Sequence, residues 1–143
     1  MPILSFNINK IDLEKKESTN KPVNVKSNLN VVNVKEANIE ISKEKQPLAD
    51  VSFEFLVTYE PNVGLVKING SLLYTHEAKK VKKFIEDWKK KKDVDKDIME
   101  TILNTCLSRC SIKALYYEQE VGLPPHLKLP RVSQQDKAKD YIG

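Results

Sequence analysis

Leu65-Val66-Lys67-Ile68-Asn69-Gly70-Ser71-Leu72-Leu73-Tyr74-Thr75 runs directly into His76-Glu77-Ala78-Lys79-Lys80-Val81-Lys82-Lys83-Phe84-Ile85-Glu86-Asp87-Trp88. The first stretch reads as a strand. In the second, Ala78, Val81, Ile85 and Trp88 fall on one helical stripe with Phe84 beside it, and lysines cover much of the rest. The hydrophobic period therefore changes from two to 3.6 at Thr75–His76. Everything before that point is read as strand, and everything after it as helix and tail.

Upstream, Val51, Phe53, Phe55, Val57 and Tyr59 alternate with Ser52, Glu54, Leu56, Thr58 and Glu60, the cleanest strand pattern in the chain. Pro61-Asn62-Val63-Gly64 is a turn signal. Asn69-Gly70 between apolar residues has the form of a hairpin turn, but arms of only about five residues favour a bulge in one continuous strand. Phe6, Ile8, Ile11 and Leu13 make a first strand with an irregularity at Asn9-Lys10. From Val23 to Ile41 period two persists with phase slips, which fits one long bent strand or two short ones. Lys15 to Pro22 and Lys43 to Asp50, the latter with Pro47, read as polar connectors.

Downstream, Asp93 and Asp95 offer N-caps for a helix from about Asp95 to Val121. Its stripe is Met99, Ile102, Leu103, Cys106, Cys110, Ala114, Tyr117 and Val121. Gly122 is a natural C′ residue, and Pro124-Pro125 prevents continuation. At about 39 Å, this helix is long for its domain: it kinks near Ser111 or projects beyond its own subunit. Tyr116, Tyr117 and the proline-held strip Leu123 to Leu129 together are hard to bury in a monomer. The fold class expected is α+β, a four-stranded antiparallel sheet with two C-terminal helices on one face. Residues 1–132 form a single domain, and 133–143 a polar, flexible tail.

The 143 residues are 40% hydrophobic and 31% charged, with a net charge of +4. That charge suits solubility but falls short of a dedicated nucleic-acid binder. No run approaches a membrane span, and with no basic stretch ahead of an apolar one in Met1-Pro2-Ile3-Leu4-Ser5-Phe6-Asn7 a secretory signal is not expected. With two cysteines and no disulfide framework, a reducing, cytoplasmic setting is expected. Cys106 and Cys110 lack the further ligands a metal needs and read as core residues. Neither His76 nor His126 has a serine or cysteine partner at a recognisable spacing. There is no phosphate-cradling glycine loop and no Asp-rich motif. The expectation is a binding protein without catalytic residues, metal or cofactor.

Gly122-Leu123-Pro124-Pro125-His126-Leu127-Lys128-Leu129-Pro130-Arg131-Val132 resembles the segment that follows the long helix in the SecB family of export chaperones. Phe6-Asn7-Ile8-Asn9-Lys10-Ile11 is similar to that family's first strand, and Ile68-Asn69-Gly70-Ser71 to a small-residue spot in its fourth. The resemblance covers roughly residues 3 to 132. It implies an ATP-independent holdase, a homotetramer built as a dimer of dimers, that keeps unfolded or nascent polypeptides in apolar grooves. The groove residues it implies are Val32, Val34, Ile39 and Ile41 of the second strand, Leu103, Leu107 and Leu115 of the long helix, and Leu123 and Leu127 of the strip.

The chain departs from the family in being basic, with Lys26 and Lys35 where the family's sheet is acidic. Its tail also lacks the pattern that binds the motor SecA, which puts coupling to SecA in doubt. The alternative expectation is an RNA- or ribosome-associated protein. It would use the lysine-rich first helix, with Lys79, Lys80, Lys82 and Lys83 facing an acidic partner; against it stands the ordinary reading of a solvated helix face.

Overall fold

The structure is a computed structural model that describes residues 2–16, 22–41 and 44–133, without the side chains of 39–41 and 44–45. Of the expected tail 133–143, residues 134–143 lie outside the described residues. Four strands come first: β1 (Ile3–Lys15), β2 (Asn24–Ile41), β3 (Glu44–Glu60) and β4 (Gly64–Tyr74). Two helices follow, α1 (Ala78–Lys89) and α2 (Lys96–Val121). The strands form one antiparallel sheet in the order β1-β4-β3-β2, a Greek-key arrangement with β1 and β2 at opposite edges.

Alternation assigns the faces. Val51, Phe53, Phe55, Val57 and Tyr59 of β3 pair across to Leu72, Gly70, Ile68, Val66 and Gly64 of β4. The side chains of this row, with the buried residues of both helices, form one core. α1 packs on β3 and β2, and α2 lies chiefly over β4 and β1. The opposite face is mostly polar, with Leu56, Leu65 and Leu73 half-buried among cross-strand ion pairs Lys26–Glu60 (3.4 Å), Lys35–Asp50 (3.9 Å) and Lys67–Glu54 (3.4 Å). Lys26 and Lys35, which set this chain apart from an acidic sheet, are thus each matched by a carboxylate of β3.

The register shifts twice in β1, between Ile3 and Ser5 and again after Ile8, and once in β2; the slips read in the sequence are the latter two. In β1 the register steps from Ile8↔Gly70 to Lys10↔Asn69, leaving Asn9 as the extra residue. Phe6 and Ile8 before it, and Ile11 and Leu13 after it, therefore all face the core. In β2 the step from Val31↔Phe53 to Asn33↔Ser52 leaves Val32 extra, so β2 is one strand and Val34 turns inward against Val51. β4 is continuous through Asn69-Gly70, and the extra residue lies across from it on β1. Gly70 is required by close packing. A Cβ there would lie 2.2 Å from the Asn7 carbonyl oxygen and 2.6 Å from Phe53 Cζ.

One connector is overturned. Residues 44–50 are strand, with Pro47 paired to Asn38. β4 joins β3 only from Ala49↔Tyr74 onward. Pro47 therefore stands where the other side of β3 has no neighbour, a position that tolerates a missing N–H. Ala78 is exposed, while Val81, Phe84 and Ile85 carry the α1 stripe.

Candidate functional site

α2 begins at Asp95, whose Oδ1 accepts the N–H of Asp97 (2.9 Å) and of Ile98 (3.2 Å). It runs unbroken through Ser111. It ends where Gly122 turns left-handed (φ 75°) and the Leu123 N–H reaches the Glu118 carbonyl at 2.8 Å. Its inner face buries Ile98, Ile102, Cys106, Cys110, Ser111, Ala114 and Glu118. Burial pushes the Cys106 thiol up to about 12 and Cys110 to about 11, the neighbouring Cys110 adding to the first.

Beyond Gly122 the strip is pinned at three successive points. Leu123 is buried against Gly64. The Tyr59 hydroxyl donates to the Pro124 carbonyl at 2.8 Å. His126 is held by Glu118 and has its ring edge-on to Phe55, centroids 5.6 Å apart. Desolvation, then the charge of Glu118 and a hydrogen bond to it, raise the Tyr59 phenol far above its ordinary range. Fixed this way, the strip presents Leu127 and Leu129 outward.

The outer face of α2 exposes apolar side chains among its polar ones. Leu107, Ile112 and Tyr116 are 48%, 69% and 57% exposed. Leu107, Ile112, Leu115 and Leu127 share a depression of about 510 Å³ with Asn104, Ser108 and Ser111. On the other side of Ile112, toward β1, a second depression of about 440 Å³ is lined by Phe6, Ile8, Arg109, Ile112 and Lys113. The Arg109 guanidinium sits 5.1 Å over the Phe6 ring, which is itself stacked on Phe53 at 5.0 Å. Ile112 thus forms a ridge between two apolar depressions whose cationic groups are Arg109 and Lys113.

Of the residues expected in a groove, Leu107, Leu115 and Leu127 come together, and Leu103 is half-buried higher on α2. Val34 and Leu123 do not belong with them. Val34 is 1% exposed because the Val32 bulge turns it inward, and Leu123 is 5% exposed as the strip's anchor. Val32 is exposed, but on edge strand β2, apart from the α2 depressions. The side chains of Ile39 and Ile41 lie outside the described residues. Ile112 went unnoticed in the sequence, although it stands at i, i+4 with Tyr116. Glu118 and Arg109 carried no local signal.

Lys79, Lys80, Lys82 and Lys83 are all exposed on α1. Lys80 borders a depression that also presents Glu77, Asp95 and Asp97. Lys83 borders one with Asp87, Asp93 and Asp95. That side of α1 is therefore mixed in sign.

Among the described residues no cluster of three His, Cys, Asp or Glu side chains is placed to hold a metal, and no helix is long and apolar enough to cross a membrane. Compared with family models, curated proteins and solved structures, the chain finds no match.

Proposed function

We propose that this protein is an ATP-independent, SecB-like holdase. It takes extended apolar segments of unfolded or nascent polypeptides into the depressions flanking Ile112 on α2. The observation that carries this reading is the two-sidedness of α2. One face is consumed by the core, and the other exposes Leu107, Ile112 and Tyr116 beside Leu127 of the pinned strip. Covering apolar surface contributes about 25 cal/mol per Å². A client segment laid along this face is thus held by area rather than by sequence, as a protein with many clients requires. Binding the unfolded form draws the client away from aggregation without a nucleotide cycle. Arg109 and Lys113 on the β1 side favour clients with acidic flanks.

The proposal includes a cytoplasmic setting and a homotetramer, a dimer of dimers, in which part of the α2 face meets another copy. It does not include a SecA partner. The test is aggregation of a chemically denatured protein diluted into buffer, with and without stoichiometric amounts of this protein and no ATP. Suppression is expected. Unchanged light scattering in the presence of folded, oligomeric protein would sink the proposal, and a monomeric native mass would remove its tetramer.

A further inference from the structure

The basic charge of the chain is concentrated in one place. Residues 79–92 hold eight lysines and two carboxylates, a surplus of six where the whole chain has +4. The fold then sorts these lysines. Lys80 and Lys83 border depressions shared with carboxylates, and Lys90 is tied to Glu86 at 2.5 Å. Lys89, Lys91 and Lys92 instead gather around a separate depression of about 600 Å³, with Trp88, Val94 and Asn33, where Asp93 is the one carboxylate among the described residues.

Two features of this corner go beyond a solvated lysine face. Trp88 is half-buried and lines the depression with part of its indole exposed. Lys91 has φ 56°, the left-handed position after a helix that glycine ordinarily fills. The turn is closed by backbone alone, the Lys91 N–H on the Trp88 carbonyl (3.1 Å) and the Lys92 N–H on that of Asp87 (2.9 Å). A side chain is thus carried in a disfavoured conformation, and it adds a third lysine to the lining of the depression that Trp88 borders.

We propose that this depression binds single-stranded nucleic acid, with one base against Trp88 and neighbouring phosphates on Lys89, Lys91 and Lys92. Each unit of such a strand carries both a planar ring and a negative charge, the two things this corner is built to meet. An acidic polypeptide matches the lysines but brings nothing flat to the indole. With Asn33 the one side-chain amide at the depression among the described residues, selectivity among bases is low. The site lies at the end of α1, apart from the α2 face proposed for clients, so either assignment can fail without the other.

Trp88 is the only tryptophan in the chain, so its emission reports on this site. An oligouridylate of about twelve nucleotides, added at low salt, should quench it saturably. The affinity should fall with salt at a log–log slope of about −2 for three phosphates. Lys91→Gly, which suits the backbone, should keep the fold and bring the slope to roughly −1.4. Lys89→Ala with Lys92→Ala should weaken binding more than the equal charge loss of Lys79→Ala with Lys82→Ala. Trp88→Phe, followed by anisotropy of a labelled oligonucleotide, should bind more tightly than Trp88→Ala. If Trp88→Ala does not fold, Lys91→Gly and the two double variants still decide. Absence of quenching at low salt, binding without quenching, or a larger loss at Lys79 and Lys82 would overturn the proposal. So would equal quenching by polyglutamate of matched charge, which would make this a site for acidic polypeptide.

Discussion

The carboxylate of Glu118 holds His126 at two points: Oε1 lies 2.5 Å from the ring Nδ1, and Oε2 accepts the His126 backbone N–H at 3.0 Å. Both side chains are 1% exposed. An acidic residue on the inner face of an amphipathic helix contradicts the helix's own pattern, and the strip's path resolves the contradiction. Pro124 and Pro125 stiffen the chain as it leaves Gly122, and the carboxylate satisfies the backbone group that the strip buries on its return.

Glu118→Ala is therefore expected to destabilise the fold by about 3 kcal/mol, since it leaves His126 and its N–H buried without a partner. Glu118→Gln keeps the shape and should cost about 1 to 2 kcal/mol. Urea unfolding measures both. Limited proteolysis within 123–130 should accelerate in the same order. A Glu118→Ala cost under about 1 kcal/mol would show that Leu123 and the Tyr59–Pro124 hydrogen bond hold the strip without it.

Gly70→Ala should cost about 3 kcal/mol, at the upper end for overpacking, because the new methyl meets backbone and an aromatic ring. Neither neighbour is the flexible end of a side chain. Thermal melting of the variant checks this, and loss of β1–β4 amide protection in hydrogen exchange would locate the damage.

Cys106 and Cys110 have thiol pKa values raised from 9.0 to about 12 and about 11. For a group whose folded pKa is raised, the contribution to stability is complete below the unfolded value and fades as pH rises toward the folded one. Stability should thus fall above pH about 9, as thiols ionise in the unfolded chain while the buried ones cannot. A double Cys→Ala variant should show a shallower alkaline decline, whatever its stability at neutral pH. In the native state neither thiol should react with a disulfide reagent at pH about 8. Fast labelling of both would contradict their burial.

Strand order along the chain, the change from strand to helix around Thr75–His76 and the caps at Asp95 and Gly122 were legible because each rests on local spacing or local turn chemistry; the helix itself starts two residues later, at Ala78. The bulges showed as phase slips, at Asn9-Lys10 and within Val23 to Ile41. Asn69-Gly70 read as a further one, yet what faces a residue cannot be read from one strand alone: β4 is continuous there, and the surplus residue is Asn9 opposite. Pro47 misled for a similar reason. Whether proline fits a strand depends on which side has a neighbour, and that is set by where β4 ends. At the candidate site, apolar type alone could not separate Val34 and Leu123 from Leu107 and Leu127. A bulge at Val32 and an anchor at Gly64 decide which pair faces the core.

That separation gives the sharpest test of the α2 surface. Leu107 and Ile112 are 48% and 69% exposed, so carboxylates there remove apolar area from a face already in water. Leu107→Asp with Ile112→Asp should change stability by about 0.5 kcal/mol or less in a protein whose surface is free. The same substitutions should weaken client binding by about 1 kcal/mol each through lost covered area, and by more where Asp is left desolvated against a client. Leu123→Asp is the converse: buried against Gly64, it should lower stability by several kcal/mol. Denaturation and aggregation suppression are measured side by side. A stable double variant that no longer protects a client places the activity on α2. A double variant that protects as well as the parent moves it elsewhere. One that falls apart into smaller, unstable species shows that the face belongs to the interface between copies.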